Sequence, residues 1–218
     1  MTLPPKLVIF DCDGVVVDSE GPTLLLLRDS LAAHGLDRTV EQITDQFIGG
    51  TMSGIMAKAR DMGADLPDNW VDAFYSELYA ELAKSVVAIL GIEVVLDALD
   101  AAGIPYAIGS NGRTEKMNVT LTRTGLINRF AGRAYSAQSS GRPKPYPDIY
   151  LKIAKDMNVA PHQSVVIEDS PTGARAAVAA EMKCFGFTHE TSSEKLAPIA
   201  DVLFENMLDL PGLLGLAS

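Results

Sequence analysis

Two spacings of apolar residues divide this chain. Between about residues 18 and 87 apolar positions recur every three or four residues, the period of a helix with one buried face. Leu24, Leu27 and Leu31 share one face of a first helix that ends near His34-Gly35. Ile43 and Phe47 fit a short second helix stopped by Gly49-Gly50, and Ile55, Ala59 and Met62 a third that stops at Gly63. Trp70, Phe74, Leu78 and Leu82 mark a fourth, with Asp68 as its expected N-cap. No strand-like run interrupts this stretch, which predicts a small helical bundle.

The remainder alternates. Short β-rich runs occur at Leu7 to Phe10, Tyr106 to Ile108, Ala134 to Ser136, Val165 to Ile167, Cys184 to Gly186 and Val202 to Phe204. Helical stretches are expected between them, near 92–102, 114–124, 147–157, 171–181 and 207–214. Strands that are apolar on both faces and separated by helices predict an α/β fold, a doubly wound parallel sheet covered on both sides. The economical organisation is an α/β core from residues 1–17 and 88–218, with a helical cap, 18–87, inserted after the first strand.

Composition narrows the function. With 218 residues and 47% hydrophobic, the chain has material for one good core and a small accessory unit. It carries 18 Lys and Arg against 28 Asp and Glu, a net charge of −10 with no basic block, so nucleic acid is not an expected partner. The longest apolar region, Val86 to Leu99, is broken by Gly91, Glu93 and Asp97, so no membrane span is expected. Cys12 and Cys184 lack metal-ligand spacing, and the apolar run of four near the N-terminus is too short for a signal peptide. A reduced, cytoplasmic protein is the expectation.

The polar residues that carry chemistry fall after predicted strands, where open parallel sheets bind ligands. Asp11 and Asp13 follow the first; two carboxylates at the end of a buried strand call for a positive partner, and a hard divalent cation suits them. Ser110 and Asn111 follow the second run and precede a helix, where hydroxyl and backbone N–H groups can receive a phosphoryl oxygen. Glu168 and Asp169 follow Val165 to Ile167 and add oxygen ligands that with Asp11 suit Mg²⁺. Lys144, between two prolines, can neutralise a transferring phosphoryl group. Each set also has an ordinary structural explanation: a turn, a solvated lysine, or a helix cap with Ser170 at N-cap and Pro171 at N1. His34, His162 and His189 are scattered, and Cys12 reads as core packing.

Asp11-Cys12-Asp13-Gly14-Val15, Ser110-Asn111, Lys144-Pro145-Tyr146-Pro147-Asp148 and Glu168-Asp169-Ser170 through Gly173 together resemble the four motifs of the haloacid dehalogenase-like superfamily. The helical insert resembles the cap of the branch that holds phosphoglycolate phosphatase, sugar-phosphate phosphatases and β-phosphoglucomutase. The resemblance implies Asp11 as nucleophile and Asp13 as general acid/base. It implies Ser110 and Lys144 as holders of the phosphoryl group. Mg²⁺ would be held by Asp11, Asp169, the Asp13 carbonyl and Glu168, the last directly or through water. The expected activity is hydrolysis of a small phosphorylated metabolite, a sugar phosphate. The rivals are a phosphosugar mutase and a non-catalytic sensor. Against a mutase, Ile48, Met52 and Thr23 align where the β-phosphoglucomutases have a lysine, an arginine and a histidine, although another register would offer Lys58 or Arg60. Gly50 and Thr23 are the expected cap contacts to substrate.

Overall fold

The structure, a computed structural model, describes residues 4–47, 51–189 and 191–216. It divides into two compact units, residues 1–18 with 87–218 and residues 19–86.

In chain order, β1 (Leu7–Phe10) leads to β2 (Val17–Asp18), and the helical unit follows. That unit contains α1 (Glu20–Ala33), α2 (Val40–Phe47), α3 (Met52–Asp61) and α4 (Trp70–Ser85). Trp70, Phe74, Leu78 and Leu82 are all buried on one face of α4. The indole N–H of the tryptophan is satisfied, since Trp70 Nε1 donates to Ser30 Oγ at 2.9 Å. Asp68 does not cap α4. The N-cap is Asn69, without a side-chain bond, and Asp68 instead pairs with Arg60 at 2.8 Å.

The chain returns through β3 (Val87–Ala88), which pairs antiparallel with β2. It then alternates through α5 (Ile92–Ala101), β4 (Tyr106–Ser110), α6 (Thr114–Arg123), β5 (Ala134–Ser136), α7 (Asp148–Asp156), β6 (Ser164–Glu168), α8 (Pro171–Ala179) and β7 (Lys183–Phe187). A short helix, α9 (Ser193–Leu196), β8 (Val202–Phe204) and α10 (Leu210–Leu213) complete it. The six long strands form one parallel sheet in the order β5-β4-β1-β6-β7-β8, an α/β doubly wound arrangement. Leu7 and Ile9 on one face pack with Ile149, Tyr150 and Ile153 of α7 and the alanines of α8. The aromatic rings of Phe10, Tyr106 and Phe130 meet edge to face. The helix expected over 207–214 is interrupted: a 3₁₀ turn spans Met207–Asp209 and α10 starts afresh. Pro211 explains the break, because it has no N–H to continue the ladder from Met207. The β2–β3 pair was not foreseen, since two-residue strands leave no periodic signal.

Candidate active site

The crossover in strand order sets β1 at the centre of the sheet, between β4 and β6. Phe10 faces Ile108 on one side and Ile167 on the other, and the Asp11 amide donates to the Ile167 carbonyl at 2.9 Å. Register alone therefore brings Asp11, Ser110 and Glu168 to one edge, beyond the carboxyl ends of three adjacent strands. Asp11, Ser110, Lys144, Glu168 and Asp169 are all buried.

Lys144 reaches this edge from the loop before α7. Its Nζ donates to Asp11 Oδ1 at 2.5 Å and to Glu168 Oε1 at 2.6 Å. The loop is pinned by Asn111, whose Oδ1 accepts from the Lys144 amide at 2.9 Å while its Nδ2 donates to the Lys144 carbonyl at 3.3 Å. Asn111, expected as a phosphate contact, thus has its side chain turned onto the Lys144 backbone. Ser110 Oγ accepts from the Gly112 amide at 2.9 Å.

Glu168 is fully enclosed and fully used. Oε1 accepts from Lys144 and from Tyr150 Oη at 2.8 Å; Oε2 accepts from the Ser170 amide at 3.1 Å and Ser170 Oγ at 2.9 Å. Ser170 is at once the N-cap of α8, accepting from the Gly173 amide at 3.0 Å, with Pro171 in the first turn. Capping and site geometry therefore coexist in the same residues. Two glycines make room for the carboxylates: a Cβ at Gly173 would stand 1.6 Å from Glu168 Oε1, and one at Gly14 would stand 2.1 Å from Asp169 Oδ2.

Three carboxylates and one buried lysine meet at this edge. Oxygens of Asp11, Glu168 and Asp169 lie within 4.8 Å of one another, with Lys144 as the cation bonded to two of the three. Burial pushes the Asp11 carboxyl up to about 7, with Lys144 opposing and Glu168 and Asp13 adding to the rise. For Lys144, burial acts downward, but Asp11 and Glu168 outweigh it and raise it well above the ordinary value. An all-oxygen donor set from three carboxylates fits a hard divalent cation. Although Glu168 belongs to the acidic triad by distance, each of its oxygens already accepts two hydrogen bonds, the capacity of a carboxylate oxygen.

Asp13 is paired with a residue the sequence reading did not single out, Lys116 of α6, whose Nζ lies 2.8 Å from Asp13 Oδ1. Tyr150 was also missed, because an aromatic on the apolar face of α7 carries a core signature. Of the expected cap contacts, Gly50 lies outside the described residues, and Thr23 Oγ1 donates to the Ser19 carbonyl at 2.6 Å within its own helix. Arg142 pairs with Asp148 at 3.2 Å. Cys12 is buried, which raises its thiol well above the ordinary value.

An open α/β sheet thus gathers acidic, hydroxyl and lysine groups at its carboxyl edge. Residues 8–187 match the family described as haloacid dehalogenase-like hydrolase, and the chain belongs to it. The chain is 27% identical over 208 residues to 6-phosphogluconate phosphatase of Escherichia coli (strain K12), covering 94% of this chain and 93% of that protein. It is 30% identical over 176 residues to hexitol phosphatase A of the same organism, covering 79% and 78%. Among solved structures, a HAD family hydrolase from Deinococcus radiodurans R1, with bound phosphate and sodium, superposes with a TM-score of 0.84 at 31% identity, covering 98% of this chain and 96% of that one.

Proposed function

We propose that this chain is a Mg²⁺-dependent cytoplasmic phosphatase that hydrolyses a small organic phosphomonoester, a sugar phosphate, through an aspartyl-phosphate on Asp11. The observation that carries the reading is the contact of Lys144 with both Asp11 and Glu168 at the edge where Ser110 and Asp169 also converge. Asp11 attacks phosphorus through a carboxylate oxygen. Lys144, fixed by Glu168 and by the Asn111 clamp, offsets charge on the nucleophile and on the phosphoryl oxygens. Ser110 Oγ stands ready to donate to a phosphoryl oxygen. Asp13 protonates the departing oxygen and then takes a proton from the water that attacks the phosphoenzyme. Mg²⁺, held by Asp11, Asp169 and the Asp13 carbonyl with Glu168 behind Lys144, would draw negative charge from the phosphoryl group.

Residues 19–86 form the cap in this reading, and their charge bears on the choice between hydrolase and mutase. This unit holds five Lys and Arg against eleven Asp and Glu. Lys58 donates to the Gln46 carbonyl at 2.7 Å, and Arg60 donates to the Leu66 carbonyl at 2.6 Å as well as to Asp68. Both cations are thus engaged within the helical unit, which lends the mutase alternative no support and leaves as the reading a substrate whose far end is hydroxylated or carries one carboxylate. The names of the two E. coli relatives, a sugar-acid phosphatase and a hexitol phosphatase, support that class. The test is phosphate release from a panel of sugar, sugar-acid and polyol monophosphates with Mg²⁺ and with chelator. Release from one of these classes, abolished by chelator, is the expected outcome; no release from any member overturns the proposal.

A further inference from the structure

Lys116 occupies a position that helix energetics does not favour. It is the third residue of α6, where the aligned peptide dipoles present positive charge, and its side chain is only 16% exposed. A cation so placed loses hydration and opposes the helix end. What compensates is Asp13: the pair is 2.8 Å apart, and the lysine is held above its ordinary value by Asp13 against the downward effect of burial.

Gly112 allows the approach. A Cβ there would stand 3.1 Å from Ser110 Oγ, 3.4 Å from Asp13 Oδ2 and 3.9 Å from Lys116 Cδ, so the three side chains crowd around a residue that has none. The carboxylate of Asp13 is therefore oriented: Oδ1 faces Lys116, and Oδ2 lies toward Gly112, the glycine that also adjoins Ser110, the phosphoryl holder of the proposed reading. From this geometry we infer that Lys116 is a positioning residue, which holds Asp13 so that one carboxylate oxygen addresses the leaving group of the substrate.

The inference deepens the proposed phosphatase reading and rests on it. In the step concerned, an Asp11 oxygen forms a bond to phosphorus while the bond from phosphorus to the leaving oxygen breaks. The electron pair stays on that oxygen, which receives the proton of Asp13. A sugar alkoxide is a poor leaving group and needs that proton; p-nitrophenolate leaves without it. Misplacing Asp13 must therefore harm the two substrates unequally.

The experiment compares kcat/KM of Lys116→Met and wild-type protein, with Mg²⁺, for the best sugar phosphate of the panel and for p-nitrophenyl phosphate. The expected result is a fall of roughly 10- to 100-fold for the sugar phosphate, as general acid catalysis and its alignment are impaired. For p-nitrophenyl phosphate the fall is about threefold or less on the same basis. Lys116→Arg, which keeps the charge, restores most of the difference. Equal losses for both substrates, or no loss for either, overturn the inference. Should Lys116→Met not fold by circular dichroism, Lys116→Gln carries the same comparison. Asp13→Asn separates this inference from the reading beneath it. If Asp13→Asn itself shows no leaving-group dependence, the acid role of Asp13 fails; if it does and the Lys116 variants do not, only the positioning role fails.

Discussion

Gly173→Ala should destabilise the protein although it places the best helix former in a helix interior. Gly173 is the third residue of α8, and its amide bonds the capping Ser170. On propensity alone the change is worth about 1 kcal/mol in favour of the folded state. The new Cβ, however, would stand 1.6 Å from Glu168 Oε1, 1.9 Å from Cδ and 2.4 Å from Oε2. The carboxylate must move, and it has nowhere to go without giving up Lys144, Tyr150 and the two Ser170 donors. Breaking a buried, hydrogen-bonded ion pair costs roughly 3–5 kcal/mol, so the net loss is about 2–4 kcal/mol after the propensity gain. For a chain of this size that lowers Tm by roughly 4–16 °C. Because Lys144 loses its anchor, turnover should fall by about 100-fold, the effect of a small misplacement in a preorganised site. The assay is scanning calorimetry near neutral pH with steady-state kinetics on the same samples. Gly21→Ala in α1, where a Cβ meets nothing within 4 Å, is the control and should leave Tm unchanged or raised. A Gly173→Ala protein with unchanged or raised Tm and undiminished turnover would refute the reasoning.

Tyr150→Phe keeps the ring under Lys144, 5.0 Å from its Nζ, but removes the donor to Glu168; a loss of roughly 1.5–3 kcal/mol in urea unfolding is expected for a bond to a charged group, and no loss would show the hydroxyl to be idle. The metal-free protein should lose stability as pH rises. Asp11 binds its proton more tightly folded, at about 7, than its ordinary 3.8, so the folded state holds the extra proton in between and the penalty is complete above about 7. From pH 5 to 8 this is about 3 kcal/mol at most, readable as a falling Tm that Asp11→Asn flattens and Mg²⁺ offsets most at the upper end; a metal-free Tm that rises through this window contradicts it.

The motif residues were legible in the sequence because their positions are fixed by chain-local rules. Buried strands announce themselves by apolar runs, and the residues just after them face the carboxyl edge; Asp11, Ser110 and Glu168 followed from that. What was not legible depends on partners distant in sequence. Asn111 looks like a phosphate ligand until the Lys144 loop, 33 residues away, is seen to take up its amide. Tyr150 sits on an apolar helix face, where a hydroxyl reaching Glu168 cannot be told from core packing. Lys116 did leave a trace, a cation in the first turn of a helix, yet only the proximity of Asp13 gives it meaning. The Asp68 cap failed for a similar reason: Arg60, eight residues earlier, binds the carboxylate the helix end could have used.

The central claim is a phosphoenzyme on Asp11. Protein mixed with excess sugar phosphate and Mg²⁺, quenched in acid within one turnover and digested, should yield the peptide containing Asp11 heavier by one phosphoryl group. That species should disappear on longer incubation as substrate is exhausted, and it should be absent from Asp11→Asn. Steady phosphate release with no modified peptide at any quench time, or a modified peptide that persists in Asp11→Asn, would contradict covalent catalysis through this carboxylate.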